Sequence, residues 1–230
     1  MSSKGMQMSS LYAVHRWLGL LALGQVSIWF LTGLVMSSLP IGQVRGDETR
    51  APPSTPPIDW KRVVMPSADA VRGAEEVSLR MLDGAPVYEV RGKETRLLDA
   101  ASGQVVEVDA PRAGRIAQAD QRGPPPVVAI ERVETPTVEY REKPVPAWAV
   151  HLADEASTTV YVDARNGRVS ARRNNSWRVF DFAWGLHIMD YRERKDFNTL
   201  LLSGFAAAAL AMAVSGGAIW VFRALRRRRL

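Results

Sequence analysis

The run FNTLLLSGFAAAALAMAVSGGAIWVF, residues 197–222, contains no charged side chain. A helix needs ~20 largely apolar residues, each rising ~1.5 Å, to cross a hydrocarbon core ~30 Å thick, and this run is long enough. A second uncharged run lies from Trp17 to Met36. Two spans bracketing a polar middle are therefore the expected frame. In the later run Ser203, Ala207, Ala211 and Ser215 recur at four-residue steps, a small-residue ridge expected to pack against the first span or a second copy of the chain.

Immediately before this run stands a charged knot, Arg192, Glu193, Arg194, Lys195 and Asp196, which could enter lipid only at great cost. Upstream of the knot, Trp177, Phe180, Trp184, His187 and Tyr191 recur at three- and four-residue steps. This spacing predicts a juxtamembrane helix over 176–196 whose aromatic stripe carries one imidazole.

The net charge of +6 would fit a nucleic-acid partner if it were spread along the chain, but it is not. Outside residues 40–196 lie Lys4, Arg16, Arg223 and Arg226 to Arg229, with no acidic residue, so the middle carries −1. Basic ends around a nearly neutral middle are the mark of membrane topology. Positive flanks stay in the cytoplasm, which puts both termini inside and the middle outside. The expected partner is the lipid bilayer, not nucleic acid. The chain has no cysteine, which excludes disulfides, thiolate metal sites, Cys-ligated iron–sulfur clusters and covalent c-type haem.

The first run is too long for the apolar region of a cleavable signal peptide and is read as a retained anchor. His15 and Arg16 stand at its cytoplasmic entrance, with Trp17 as an interfacial anchor. Gly19 lies one turn after His15 on the same face, leaving an indentation beside the imidazole where a flat ligand edge would fit. The plainer reading makes His15 an interfacial polar residue beside an orienting arginine.

Between the runs, Ala51 to Pro57 is a proline-rich spacer expected to lift the following residues off the membrane. The middle then holds a weak internal repeat. Asp99-Ala-Ala-Ser-Gly-Gln-Val105 is matched by Asp163-Ala-Arg-Asn-Gly-Arg-Val169, each reading as a strand end and a tight turn. Alternating strands precede both turns, at Val87–Val90 with Arg96–Leu98 and at Ala147–Leu152 with Thr158–Val162. Helical candidates precede these sets, from Ser67 to Glu76 and from Arg112 to Gln121. Glu131, Glu134, Glu139 and Glu142 fall in a proline-rich segment without histidine partners and read as a solvated loop or edge strand. Strand alternation places His151 on the face opposite Trp148, Val150 and Leu152, toward solvent.

The helix-strand-strand unit ending in Asp-Ala-x-[Ser/Asn]-Gly-x-Val resembles the PepSY domain. His15-Arg-Trp-Leu-Gly19 resembles the opening of the PepSY-associated transmembrane family, in which a Leu-His pair such as Leu186-His187 precedes the next membrane helix. The expected fold class is α+β: two transmembrane helices flanking a periplasmic domain built from two PepSY-like helix and antiparallel-sheet repeats. The expected parts are an anchor at 1–39, a linker at 40–60 and repeats at 61–108 and 109–175. The juxtamembrane helix at 176–196, a span at 197–222 and a basic tail at 223–230 follow.

The resemblance implies relatives among haem-containing ferric-siderophore reductases of the bacterial inner membrane. It would make His15 and His187 axial ligands of noncovalent haem b, with Arg16, Gly19 and Trp184 beside it. No Gly-x-Gly-x-x-Gly fingerprint for flavin or nicotinamide is present, so the electron donor would be external. The first span separates the two histidines by on the order of 30 Å, too far to share one haem within a monomer. Two sites, each completed by a second copy or a partner membrane subunit, are one reading; no haem at all is another. The competing functions are a tethered PepSY module regulating a periplasmic peptidase or sensing a ligand, and a structural subunit of an envelope complex.

Overall fold

A computed structural model describes residues 3–52 and 56–227, with side chains from Tyr12 onward except at residue 21. The Lys4 side chain, the centre of the proline-rich run at 53–55, and Arg228 and Arg229 lie outside this description. In chain order the elements are α1 (Ser3–Ser38), α2 (Ile41–Arg45), β1 (Glu76–Leu82), β2 (Ala85–Arg91), β3 (Arg96–Asp99), α3 (Ala110–Ala119) and β4 (Val127–Val133). They continue with β5 (Ala147–Leu152), β6 (Thr159–Asp163), β7 (Val169–Arg173), α4 (Asn175–His187) and α5 (Leu200–Arg227). The architecture is α+β with antiparallel sheets. Two compact units divide it: Met1–Leu39 with Val179–Leu230, and Pro40–Arg178.

The second unit holds both sheets, ordered β1-β2-β3 and β4-β5-β6-β7. Asp83-Gly84 closes the β1–β2 hairpin with φ of 50° and 80°, as a two-residue turn matching strand twist requires. Asp109 caps α3 by accepting the Arg112 N–H at 2.9 Å, and the helix lays Ala113 and Ala117 into the core. Leu82, Val87 and Leu97 of the first sheet meet Val150, Val160 and Val162 of the second in that core. The other face of the second sheet is also covered, with Tyr140 stacked on Tyr161 at 4.5 Å between ring centres.

Among the described residues, charge is buried only where it is paired. The Glu89 side chain is 3% exposed and accepts from Arg80 at 2.6 Å and from Arg168 at 2.8 Å, linking the two sheets. Burial pushes its pKa up, but the hydrogen bonds from Arg168 and Arg80 outweigh this and hold it below the usual value. Its contribution to stability is therefore complete above the ordinary carboxylate pKa and is lost as pH falls through the depressed one.

The two Asp-Ala turns match bond for bond. Gly103 and Gly167 donate to the Asp99 and Asp163 carbonyls, each at 2.8 Å, and have φ of 70° and 68°. The Asp99 and Asp163 N–H groups donate to Gln104 at 2.8 Å and Arg168 at 2.9 Å. The segments before the sheets differ. Residues 110–119 form α3, two residues upstream of the expected 112–121, but Ser67 to Glu76 is a series of turns running into β1. Gly73, at φ 74°, stops any helix there.

The linker is also less free than its composition implies. It contains α2, Arg50 bridges to Gln121, Ala51 donates to Asp120 at 2.8 Å, and just past its end Val64 donates to Ala100 at 2.8 Å. Glu131 is exposed on edge strand β4, whereas Glu139 is half-buried and takes the Arg178 guanidinium at 2.8 Å. His151 is half-exposed. Its Nδ1 lies 3.1 Å from Thr159 Oγ1, and its Nε2 is shielded without a hydrogen bond, 3.9 Å from Glu131.

The twin turns make a paired prediction. A Cβ at Gly103 meets nothing within 4 Å, whereas one at Gly167 would lie 2.8 Å from Leu82 Cδ1. Gly103→Ala should cost about 1 kcal/mol for left-handed backbone alone, and Gly167→Ala about 2–4 kcal/mol because the core must also shift. Chemical denaturation of the detergent-solubilised chain checks the order.

Candidate functional site

In the first unit α1 and α5 pack along their length. The α5 face turned inward is Leu202, Phe205, Ala208, Met212, Ser215 and Ile219, all buried or half-buried at three- and four-residue steps. The expected small-residue ridge is a different face. Ser203, Ala207 and Ala211 are exposed, and of that ridge only Ser215 is buried, because the larger side chains fill the contact with α1. On α1 the inward face carries Ala22, Gln25 and Thr32, which are 1%, 8% and 4% exposed. By length and composition α5 can cross a bilayer. The α1 segments Tyr12–Leu20 and Ala22–Ser38, bent by 55°, reach that length only when taken together.

Each imidazole is built into this unit from a different direction. His15 of α1 faces α5, where its Nδ1 lies 2.8 Å from Ser215 Oγ. Gly216 makes room for the ring, since a Cβ there would stand 3.1 Å from His15 Cε1. At the same end Arg223 donates to the Tyr12 hydroxyl at 2.8 Å, tying the base of α5 to α1. His187 ends α4 and reaches α1, where its Nδ1 lies 2.9 Å from Thr32 Oγ1. The Trp29 indole N–H donates to the His187 carbonyl at 2.8 Å, and Gly33 lies beside the ring. Both histidines are half-buried, and neither Nε2 has a hydrogen bond among the described residues.

The expected neighbours are distributed differently. A Cβ at Gly19 would lie 3.6 Å from Met212 Sδ, so the methionine fills its indentation and Gly216 is the glycine against the ring. Arg16 is exposed, with its guanidinium 5.7 Å from the Trp17 ring centre. Trp184 donates its indole N–H to the Arg194 carbonyl at 3.1 Å. The structure does not bring His15 and His187 together. His15 itself and the Thr32 anchor of His187 lie 17 residues apart on α1, about 25 Å of helix. No three His, Cys, Asp or Glu side chains gather as a metal site among the described residues.

A family model described as the PepSY-associated TM region matches residues 12–230. The chain belongs to this family. No curated protein and no solved structure matches it. Membership, together with α5, makes this PepSY-associated TM region protein a membrane protein.

The family match takes in the charged knot, which is a folded loop and not the continuation of a helix. Helix α4 stops at His187, and Met189 and Arg194 take φ of 58° and 55°. Asp190 accepts backbone N–H groups from Glu193 at 3.1 Å, Lys195 at 3.0 Å and Asp196 at 3.1 Å. Arg194 lies across Gly185 and pairs at 2.8 Å with Asp181, whose side chain is 3% exposed. Burial alone would raise the Asp190 pKa, but the backbone donors hold it far below the usual carboxylate range. The stabilisation it gives the loop is thus full above the ordinary pKa and persists until the pH falls through the depressed one. Asp190→Asn should speed amide exchange at Lys195 and Asp196 about tenfold at neutral pH. In the native chain, hydrogen-exchange mass spectrometry should find that protection still present at mildly acidic pH.

Proposed function

We propose that this protein is a two-pass inner-membrane PepSY protein that holds b-type haem through His15 and His187 and carries electrons for ferric-siderophore or other envelope reduction. One observation supports this reading above the rest. Each imidazole is anchored through Nδ1 by a hydroxyl of a neighbouring helix, leaving Nε2 without a partner, the arrangement in which a histidine ligates iron. Bound haem would supply one-electron chemistry by cycling its iron between the ferric and ferrous states.

The protein's own residues anchor, orient and separate the ligands. Ser215 and Gly216 seat His15; Thr32 and Trp29 seat His187. Because each end of the helix pair offers one histidine, a second copy or a partner membrane subunit would complete each site, and an external donor would supply electrons. The positive ends favour cytoplasmic termini and a periplasmic middle made of two PepSY-like repeats.

The decisive measurement is the absorption spectrum of the protein expressed with haem available and purified with its co-expressed neighbours. A Soret band is expected, with His15→Ala and His187→Ala each altering it. Absence of the band would remove the haem reading and favour the tethered binding module. Independently, a reporter fused after Leu230 should behave as cytoplasmic, and periplasmic activity there would invert the topology.

A further inference from the structure

We infer that Ser215 and Thr32 are positioning residues that fix the tautomer of the two imidazoles, each holding its histidine as the Nδ1–H form with the lone pair on Nε2. The inference follows from counting protons. A serine or threonine hydroxyl has one hydrogen to donate. Thr32 directs its hydrogen to the carbonyl of Ile28 at 2.7 Å, with the Trp29 carbonyl at 3.2 Å as a second acceptor. Its oxygen can then only accept from His187, 2.9 Å away, so Nδ1 carries the hydrogen. Ser215 directs its hydrogen to the Met212 carbonyl at 2.9 Å and must likewise accept from His15 Nδ1 at 2.8 Å.

Thr32 is 4% exposed and Ser215 8%, so water does not compete for either oxygen. A neutral imidazole in water favours the opposite tautomer, with hydrogen on Nε2. The two hydroxyls therefore select the form whose free lone pair is on Nε2, the nitrogen left open for a ligand. The role of this device rests on the haem reading, but its existence does not.

The test reads the tautomer directly. The full chain, labelled with nitrogen-15 in histidine, is placed in detergent without haem at alkaline pH. Its three ring systems are assigned through His15→Gln, His151→Gln and His187→Gln. His15 and His187 should show protonated Nδ1 and unprotonated Nε2. Thr32→Val should lower the ratio of the two tautomers at His187 about fivefold, the effect of one net hydrogen bond, and leave His15 unchanged. Ser215→Ala should do the reverse, and Thr32→Ser, which keeps the hydroxyl, should preserve the native ratio. The unaffected histidine in each variant reports that the helix pair is still folded. Nε2–H forms in the native chain, or a ratio indifferent to Thr32→Val, would overturn the inference.

The haem reading fails separately. A fixed tautomer with no Soret band keeps the inference and removes haem. A Soret band whose midpoint potential and apo tautomer both ignore Thr32→Val keeps haem and removes the inference. If both hold, losing the Nδ1–H bond makes the ligand less basic and should move one midpoint to a more positive potential while the band persists.

Discussion

Between two apolar helices a polar group left without a partner in protein is costly, because lipid supplies none. On the inward face of α1 and α5 this constraint decides which atoms meet. The hydroxyls of Thr32 and Ser215 return their hydrogens to their own helices, as threonine and serine often do. What remains is an acceptor oxygen on each, and each histidine fills it. The contact along α1 is apolar over most of its length; it is polar at the two levels where imidazoles enter and at Gln25, whose buried Nε2 has no hydrogen-bond partner among the described residues. Each level uses a glycine beside the ring, Gly216 or Gly33.

The sheet-bearing unit solves a different problem. Its two sheets share one apolar core, yet Glu89 is buried within reach of Arg80 and Arg168. Replacing such a pair by apolar side chains can be neutral for stability, whereas an isolated buried carboxylate is costly. The pairing joins β1 and β2 of the first sheet to the turn that leads into β7 of the second. The matched turns at Asp99 and Asp163 show why a short motif can be read at all. A carboxylate, a left-handed glycine and a following strand residue together satisfy the local backbone groups, and few other residue combinations do so.

Legibility in the sequence followed the locality of the physics. The long apolar helices were visible because charge is absent from 197–222, and β2, β3, β5 and β6 because buried residues recur there. Strands β1 and β7 leave no such pattern, and β4 reads only as a solvated loop or edge strand. They lie at sheet edges and carry Glu76, Arg80, Glu131, Arg132, Arg172 and Arg173, which break the apolar pattern. The end of α4 was misplaced because the Asp190 loop is held by backbone hydrogen bonds that leave no apolar period. His15 and His187 stood out by residue type alone, but Ser215 is 200 positions from one and Thr32 is 155 from the other. A signal for them did exist in the later half of α1. Gln25 and Thr32, polar residues seven apart in an apolar run, share the face that begins at His15.

The double attachment of His187 has a mechanical meaning. Its carbonyl is held by Trp29 and its ring by Thr32, two points less than a turn apart on α1. Sliding α1 by one turn, about 5.4 Å, would present Gln25 and Ile28 in one direction, or Gly33 and Met36 in the other. In the first, Gln25 could donate where Trp29 does, but Ile28 has no acceptor to put where the Thr32 hydroxyl meets the ring; in the second, Gly33 has no side-chain donor to replace the Trp29 indole. The last turn of α4 therefore sits in a single notch on α1, and small slips have no neighbouring notch to fall into. A bilayer thicker or thinner than the helix pair must then be met by tilt, or by the bend between Leu20 and Ala22, while the imidazole keeps its height on α1.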